Sequence, residues 1–201
     1  MAEATAILLA AGLSRRMGAA NKLLLPFGDS TVVETTLSRL LASSVQEIVL
    51  VGSELSMEHL KPLESDRVRL VNNPNYEQGM TSSIQAGVAA CGASAAGFMI
   101  CLGDQPLIET GTYETILNQF SGSAQENSAV IVLPFFDGRK GNPVIFSAAY
   151  RKAILAHQEP EGCKGIVQAN KAHAIRVDVA DAGILTDIDT PADYDRASRP
   201  R

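Results

Sequence analysis

Apolar residues recur along the chain in short, often β-branched runs at 6–10, 48–51, 68–71, 98–102, 129–133 and 175–179. Each has the length of a strand. Apolar character at nearly every position predicts strands covered on both faces. Between them lie amphipathic stretches at 32–41, 55–63, 81–90, 113–120 and 148–156, which predict helices. Strand and helix alternating in this way predict an α/β fold with a mostly parallel central sheet. The stretch 136–146 breaks the rhythm, because Asp137-Gly138 and Gly141-Asn142-Pro143 carry turn chemistry. A hairpin or loop excursion is expected near 134–147, and a simple turn followed by an edge strand is the plain alternative for 141–146. No repeat, low-complexity tract or linker interrupts the pattern, so residues 1–201 read as a single domain.

Composition narrows the functional classes. Apolar residues make up 46% and charged residues 19%, an ordinary globular balance rather than a disordered one. Lys and Arg number 17 against 22 Asp and Glu, a net charge of −5, which argues against a nucleic-acid-gripping surface. The apolar runs are far too short to span a bilayer, and no secretion signal is visible. Cys91, Cys101 and Cys163, and His59, His157 and His173, show neither C-x-x-C nor H-x-x-x-H spacing. Zinc chemistry has no support, and the scattered cysteines fit buried apolar positions in a reducing cytoplasm.

In a parallel α/β sheet the ligand sits beyond the carboxyl ends of the strands. After the first run comes Ala11-Gly12-Leu13-Ser14-Arg15-Arg16-Met17-Gly18, then Asn21-Lys22. Small residues let backbone N–H groups approach phosphate oxygens, and Arg15, Arg16 and Lys22 add positive charge. A solvated basic turn would have the same composition. The spacing is neither that of a P-loop nor that of the G-x-G-x-x-G dinucleotide fingerprint.

The segment Leu9-Ala10-Ala11-Gly12-Leu13-Ser14-Arg15-Arg16-Met17-Gly18, followed by Lys22, resembles the signature of the Rossmann-like nucleotidyltransferases. The nearest branch is the molybdenum cofactor cytidylyltransferases of the MobA-like family, and further motifs follow in the family's order. The resemblance implies a three-layer GT-A-like domain. It also implies that Gly12, Ser14, Arg16 and Lys22 hold the triphosphate, with Leu9, Ala10 and Ala11 in the same nucleotide-binding segment.

Later motifs extend the likeness. Asn72-Asn73-Pro74 closes the third run and Gly79-Met80-Thr81-Ser82-Ser83 opens a helix, where Ser82-x-x-Gln85 has capping-box spacing. The resemblance puts Gly79 and Ser83 near the base and ribose. Leu102-Gly103-Asp104-Gln105-Pro106 ends the fourth run; Asp104 is either a turn residue or, as the resemblance implies, a metal ligand. In Asp187-Ile188-Asp189, alternation places both carboxylates on one side. The resemblance makes Asp189 the second ligand, with Asp187 behind it. Thr190-Pro191-x-Asp193 is a complete helix start. Gly141 and Pro143 match an element beside the acceptor pocket. Downstream, Gly162-Cys163-Lys164-Gly165 lacks the Asp and Arg common in the family, and Lys164 is the available replacement charge.

The implied reaction is transfer of CMP from CTP to the terminal phosphate of molybdopterin, with release of pyrophosphate. Mg2+, or Mn2+ in its place, would be the cofactor, Arg16, Lys22 and Asp104 would be catalytic, and a molybdoenzyme would be the client. Expected partners include neither nucleic acid nor membrane, and the expected location is the cytoplasm. The alternatives are a guanylyltransferase or sugar-phosphate nucleotidyltransferase of the same fold, or a non-catalytic nucleotide-binding accessory protein.

Overall fold

The computed structural model describes residues 3–12 and 21–199. Ten strands form in chain order: β1 (Ala4–Leu9), β2 (Pro26–Phe27), β3 (Ser30–Thr31), β4 (Ile48–Gly52), β5 (Val68–Asn72), β6 (Gly97–Leu102), β7 (Ile131–Phe136), β8 (Arg139–Lys140), β9 (Val144–Ser147) and β10 (Ala174–Asp178). The α-helices are α1 (Val32–Leu41), α2 (Met57–Leu60), α3 (Met80–Ala90), α4 (Thr110–Glu126), α5 (Arg151–Leu155), α6 (Lys164–Ala169) and α7 (Pro191–Ala197). All six predicted runs contribute strands.

The main sheet has the order β10-β7-β9-β6-β1-β4-β5, with β8 paired to β7, while β2 and β3 form a separate ribbon. The pairs β1–β4, β4–β5, β1–β6 and β7–β10 are parallel, and β9 runs antiparallel between β6 and β7. Alternation along the strands sorts side chains into two cores, one on each face. Ala6, Leu8, Leu50, Met99 and Val132 meet α1 and α4 through Leu37, Leu40, Ile116 and Phe120. Ile7, Val49, Phe98, Ile131 and Phe146 meet α3, α5 and α6 through Ile84, Val88, Ile154 and Ile166. The result is three layers, with strands buried on both sides.

Two of the plain structural alternatives need correction. The turn at Asp137-Gly138 does make a two-residue hairpin between β7 and β8, with both residues at positive φ (47° and 72°) as the strand twist requires. The apolar tail after it is no edge strand, however. β9 fills the slot between β6 and β7, with Ile100 opposite Val144 and Val132 opposite Ile145. The second correction concerns Ser82 and Gln85, which form no capping box. Gly79 is the N-cap of α3, Ser82 lies inside the first turn, and Gln85 donates to the carbonyls of Ile154, Leu155 and His157. Gln85 thus ties two helices together instead of closing one end. At α7 the expected start is present, with Thr190 and Asp193 satisfying each other's backbone N–H groups and Pro191 opening the helix.

Candidate active site

Three segments distant in sequence meet beyond the carboxyl ends of β1 and β6. The first follows β1. Ala10 N–H bonds to Val51 O (2.7 Å) and the Ala10 carbonyl accepts from Ser56 Oγ (3.2 Å), so the chain leaves the sheet in a fixed direction. Leu9, Ala11 and Gly12 border a cavity of about 510 Å3, whereas Ala10 is buried and packs in the core. Ser14 and Arg16 lie outside the described residues. Past them, Asn21 Oδ1 accepts from Leu23 N–H (3.1 Å) and opens the short 3-10 turn Lys22–Leu24. Leu23 is buried, which leaves Lys22 aimed at the cavity.

The second segment follows β6. A β-carbon on Gly103 would lie 2.7 Å from the Leu9 carbonyl oxygen, closer than any side chain tolerates. Gly103 therefore lets the loop cross the end of β1 and bring Asp104 to the cavity. The third segment, 184–189, docks on this loop. Ile188 is fully buried and its N–H bonds to the Asp104 carbonyl (3.0 Å), while Gln105 Nε2 donates to Asp187 Oδ1 (2.5 Å). With Ile188 pointing into the core, alternation turns Asp187 and Asp189 to the cavity, as predicted from the sequence.

Lys22 Nζ donates to Asp104 Oδ2 and to Asp189 Oδ1, the latter at 2.7 Å. Burial opposes the lysine charge, but the charges of the two carboxylates and their hydrogen bonds outweigh it and hold the ammonium pKa above its ordinary value. Asp187 is pushed the other way. Its carboxyl pKa is raised by burial and by the neighbouring charge of Asp104. Asp104 Oδ1 is buried with no hydrogen-bond partner among the described residues. An orphaned carboxylate oxygen beside a second carboxylate is the hard donor set that Mg2+ or Mn2+ takes. Among the described residues no cluster of three or more metal-ligating His, Cys, Asp or Glu exists. Phosphate and water oxygens would therefore complete the shell.

At the other end of the cavity, where α3 begins, the first turn of the helix carries no formal charge and Glu77 just before it is the acid on the border. Gly79, with φ of +105°, passes so close to Pro160 that a β-carbon would sit 2.7 Å from its carbonyl oxygen. Gly79 and Ser83 border the cavity together with Tyr76, Glu77 and Met80, which sequence reasoning missed. Their one visible signal is an aromatic and an acid, Tyr76-Glu77, in an otherwise small and polar turn. Gly141 and Pro143 are buried and do not border the cavity; Gly141 packs against Ile184. Lys164 is exposed and pairs with Glu161 at 3.6 Å. The three cysteines are buried, and burial pushes the thiols of Cys91 and Cys163 up to about 11 and about 12. They are packing residues.

An ammonium and paired carboxylates beyond the carboxyl edge of a mostly parallel sheet, next to a small-residue loop, define a nucleotidyltransferase. The family model described as MobA-like NTP transferase domain matches residues 6–175, and the chain belongs to that family. It is 24% identical over 194 residues to the molybdenum cofactor cytidylyltransferase of Escherichia coli, covering 96% of this chain and 95% of that protein. It is 30% identical over 203 residues to the purine catabolism protein PucB of Bacillus subtilis, with 96% and 95% covered. The fold matches Rv0371c of Mycobacterium tuberculosis, solved in complex with manganese, at a TM-score of 0.72 and 23% identity over 98% of both chains.

Proposed function

We propose that the protein transfers CMP from CTP to the terminal phosphate of molybdopterin. A phosphate oxygen of the acceptor bonds to the α-phosphorus, and the bond from that phosphorus to the β-bridging oxygen breaks. The electron pair leaves with pyrophosphate. The observation that carries this reading is the partly buried Lys22–Asp104–Asp189 cluster facing the same cavity as Ala11, Gly12 and Ser83.

In this reading Asp104 and Asp189 hold Mg2+ or Mn2+, which when bound neutralises charge on the phosphates. Lys22 turns from the carboxylates to the triphosphate, and with Arg16 it steadies the negative charge that gathers on the pyrophosphate. Gly12 and Ser14 offer donors to the same phosphates. Gly103 and the Ile188–Asp104 backbone bond hold the two carboxylates in place, so that little rearrangement accompanies the reaction. Ala11, which borders the cavity, narrows it toward a pyrimidine; Gly79 and Ser83 face the base and ribose. Gly141 and Pro143 would shape the acceptor side through Ile184 rather than by direct contact. The place of action is the cytoplasm, in keeping with three buried free thiols, and a molybdoenzyme receives the product.

The test is pyrophosphate release with each of the four common nucleoside triphosphates, with and without molybdopterin. Release that needs both CTP and molybdopterin is expected. Equal or better turnover with GTP would assign the guanylyl reading, and release only with a sugar phosphate the third. Pyrophosphate from no pair would leave a nucleotide-binding accessory protein.

A further inference from the structure

We infer that Asn73 is a positioning residue that fixes Ser83 as a hydrogen-bond donor, so that the nucleotide atom read there is an acceptor such as a pyrimidine carbonyl O2 or ring N3. The inference rests on the reading above that the base lies at the Ser83 end of the cavity. Asn73 is buried at 2% exposure just after β5. Its backbone N–H bonds to the Gly52 carbonyl at 2.8 Å, which holds it at the sheet edge.

The Asn73 amide has only one workable orientation. Asn75 N–H points at one end of it from 2.9 Å, and an N–H must face an acceptor, so that end is Oδ1. Nδ2 is then left for Ser82 Oγ (2.9 Å) and Ser83 Oγ (3.0 Å), which uses both of its protons. Ser82 spends its own proton on the carbonyl of Asn75 or Gly79, at 2.8 and 2.9 Å. Ser83 has no such outlet among the described residues. Its oxygen accepts from Asn73, it is 6% exposed and it borders the cavity. The free hydroxyl proton therefore belongs to whatever fills the cavity. A site that offers one buried donor rejects a ligand lacking the matching acceptor, because the donor is then left unpaired.

Asn73→Asp keeps the shape and the acceptor for Asn75 but replaces the donor with a second acceptor. The Ser83 proton would turn to it and present a lone pair to the ligand. Calorimetric binding of CTP, UTP, GTP and ATP is compared for wild type, Asn73→Asp, Ser83→Ala and the double variant. Inorganic tripolyphosphate, which has no base, serves as the probe of the charged end. Each single variant should weaken the preferred nucleotide about tenfold, the loss expected for one buried donor, and flatten the preference among bases. The double variant should be no worse than either single one, and tripolyphosphate binding should not move. Additive losses, or wild-type selectivity in Asn73→Asp beside a weakened Ser83→Ala, would overturn the role of Asn73 and leave the function standing. Unchanged nucleotide binding in Ser83→Ala would instead overturn the placement of the base, and this inference with it. If Asn73→Asp loses its cooperative melt, Asn73→Ala removes the donor without adding an acceptor, and a flattened preference among bases is still expected because the Ser83 hydroxyl is no longer fixed.

Discussion

The two ends of the cavity solve opposite problems. At the Lys22 end, one ammonium bridges two carboxylates that come from segments 85 positions apart, counting from Asp104 to Asp189, and Asp104 Oδ1 has no hydrogen-bond partner among the described residues. At the Ser83 end there is no formal charge on the reading groups, and almost every donor and acceptor of Asn73 and Ser82 is already used within the protein. The first end holds unspent electrostatic capacity, which suits charge that moves during a reaction. At the second, the Asn73–Ser82–Ser83 network leaves the Ser83 proton for a ligand, which suits recognition. Chemistry and selectivity should therefore separate by mutation.

The largest effect should come from the charged end. Asp104→Asn keeps the volume but removes a charge that pairs with Lys22 and, in the proposed reaction, would hold the metal, and turnover should fall on the order of 10²-fold or more. A thermal melt should show the fold intact, because the carboxylate sits at the sheet rim. Asp189→Asn, which still offers an oxygen ligand, should be milder when both variants are compared in a Mg2+ titration of pyrophosphate release. A folded Asp104→Asn enzyme with normal rate and metal dependence would merge the two ends into one recognition surface.

Lys22→Met should separate two properties of that end. Turnover falls, while Mn2+ binding without nucleotide, followed by electron paramagnetic resonance, should tighten by roughly tenfold once the competing ammonium is gone. Equal Mn2+ affinity in both proteins would place the metal elsewhere.

Gly79→Ala probes the Ser83 end through its backbone. Positive φ and the Pro160 carbonyl together should cost about 1–3 kcal/mol. At roughly 2–4 °C per kcal/mol for a chain of this size, the melting temperature should drop by several degrees. An unchanged melt would mean that the start of α3 is loosely held. The smallest effect is expected for Lys164→Ala. The side chain is exposed and its ion pair with Glu161 spans 3.6 Å, so the acceptor KM should rise by no more than about twofold and the KM for CTP should not move. A larger rise would move the acceptor site onto α6.

Much of this arrangement was legible in the residues because it depends on local pattern. Continuous apolar runs marked the buried strands, Asp187-Ile188-Asp189 alternation turned two carboxylates to one side, and Thr190-Pro191-x-Asp193 marked the start of α7. The rest depends on partners that local pattern does not name. Val144–Ser147 has the same apolar run whether it lies at an edge or in the middle of a sheet, and only the edges of β6 and β7 decide. Ser82 and Gln85 have capping-box spacing, but Gly79 already starts the helix, and Gln85 finds carbonyls about 70 residues away. That Lys22 bridges both carboxylates follows from the Ile188–Asp104 backbone bond, which no motif spells out.

The place of β9 also bears on the order in which the molecule is built. During synthesis β1, β4, β5 and β6 can associate as soon as Leu102 has emerged, but the other flank of β6 stays bare until Val144 to Ser147 arrive. For about forty residues, a few seconds at ribosomal speed, Phe98, Met99 and Ile100 line an open strand edge of the kind that recruits other chains. The later strands β7 and β10 cannot cover it themselves, since β9 stands between them and β6. A nascent chain stalled before Val144 is therefore the form of this protein most in need of a chaperone.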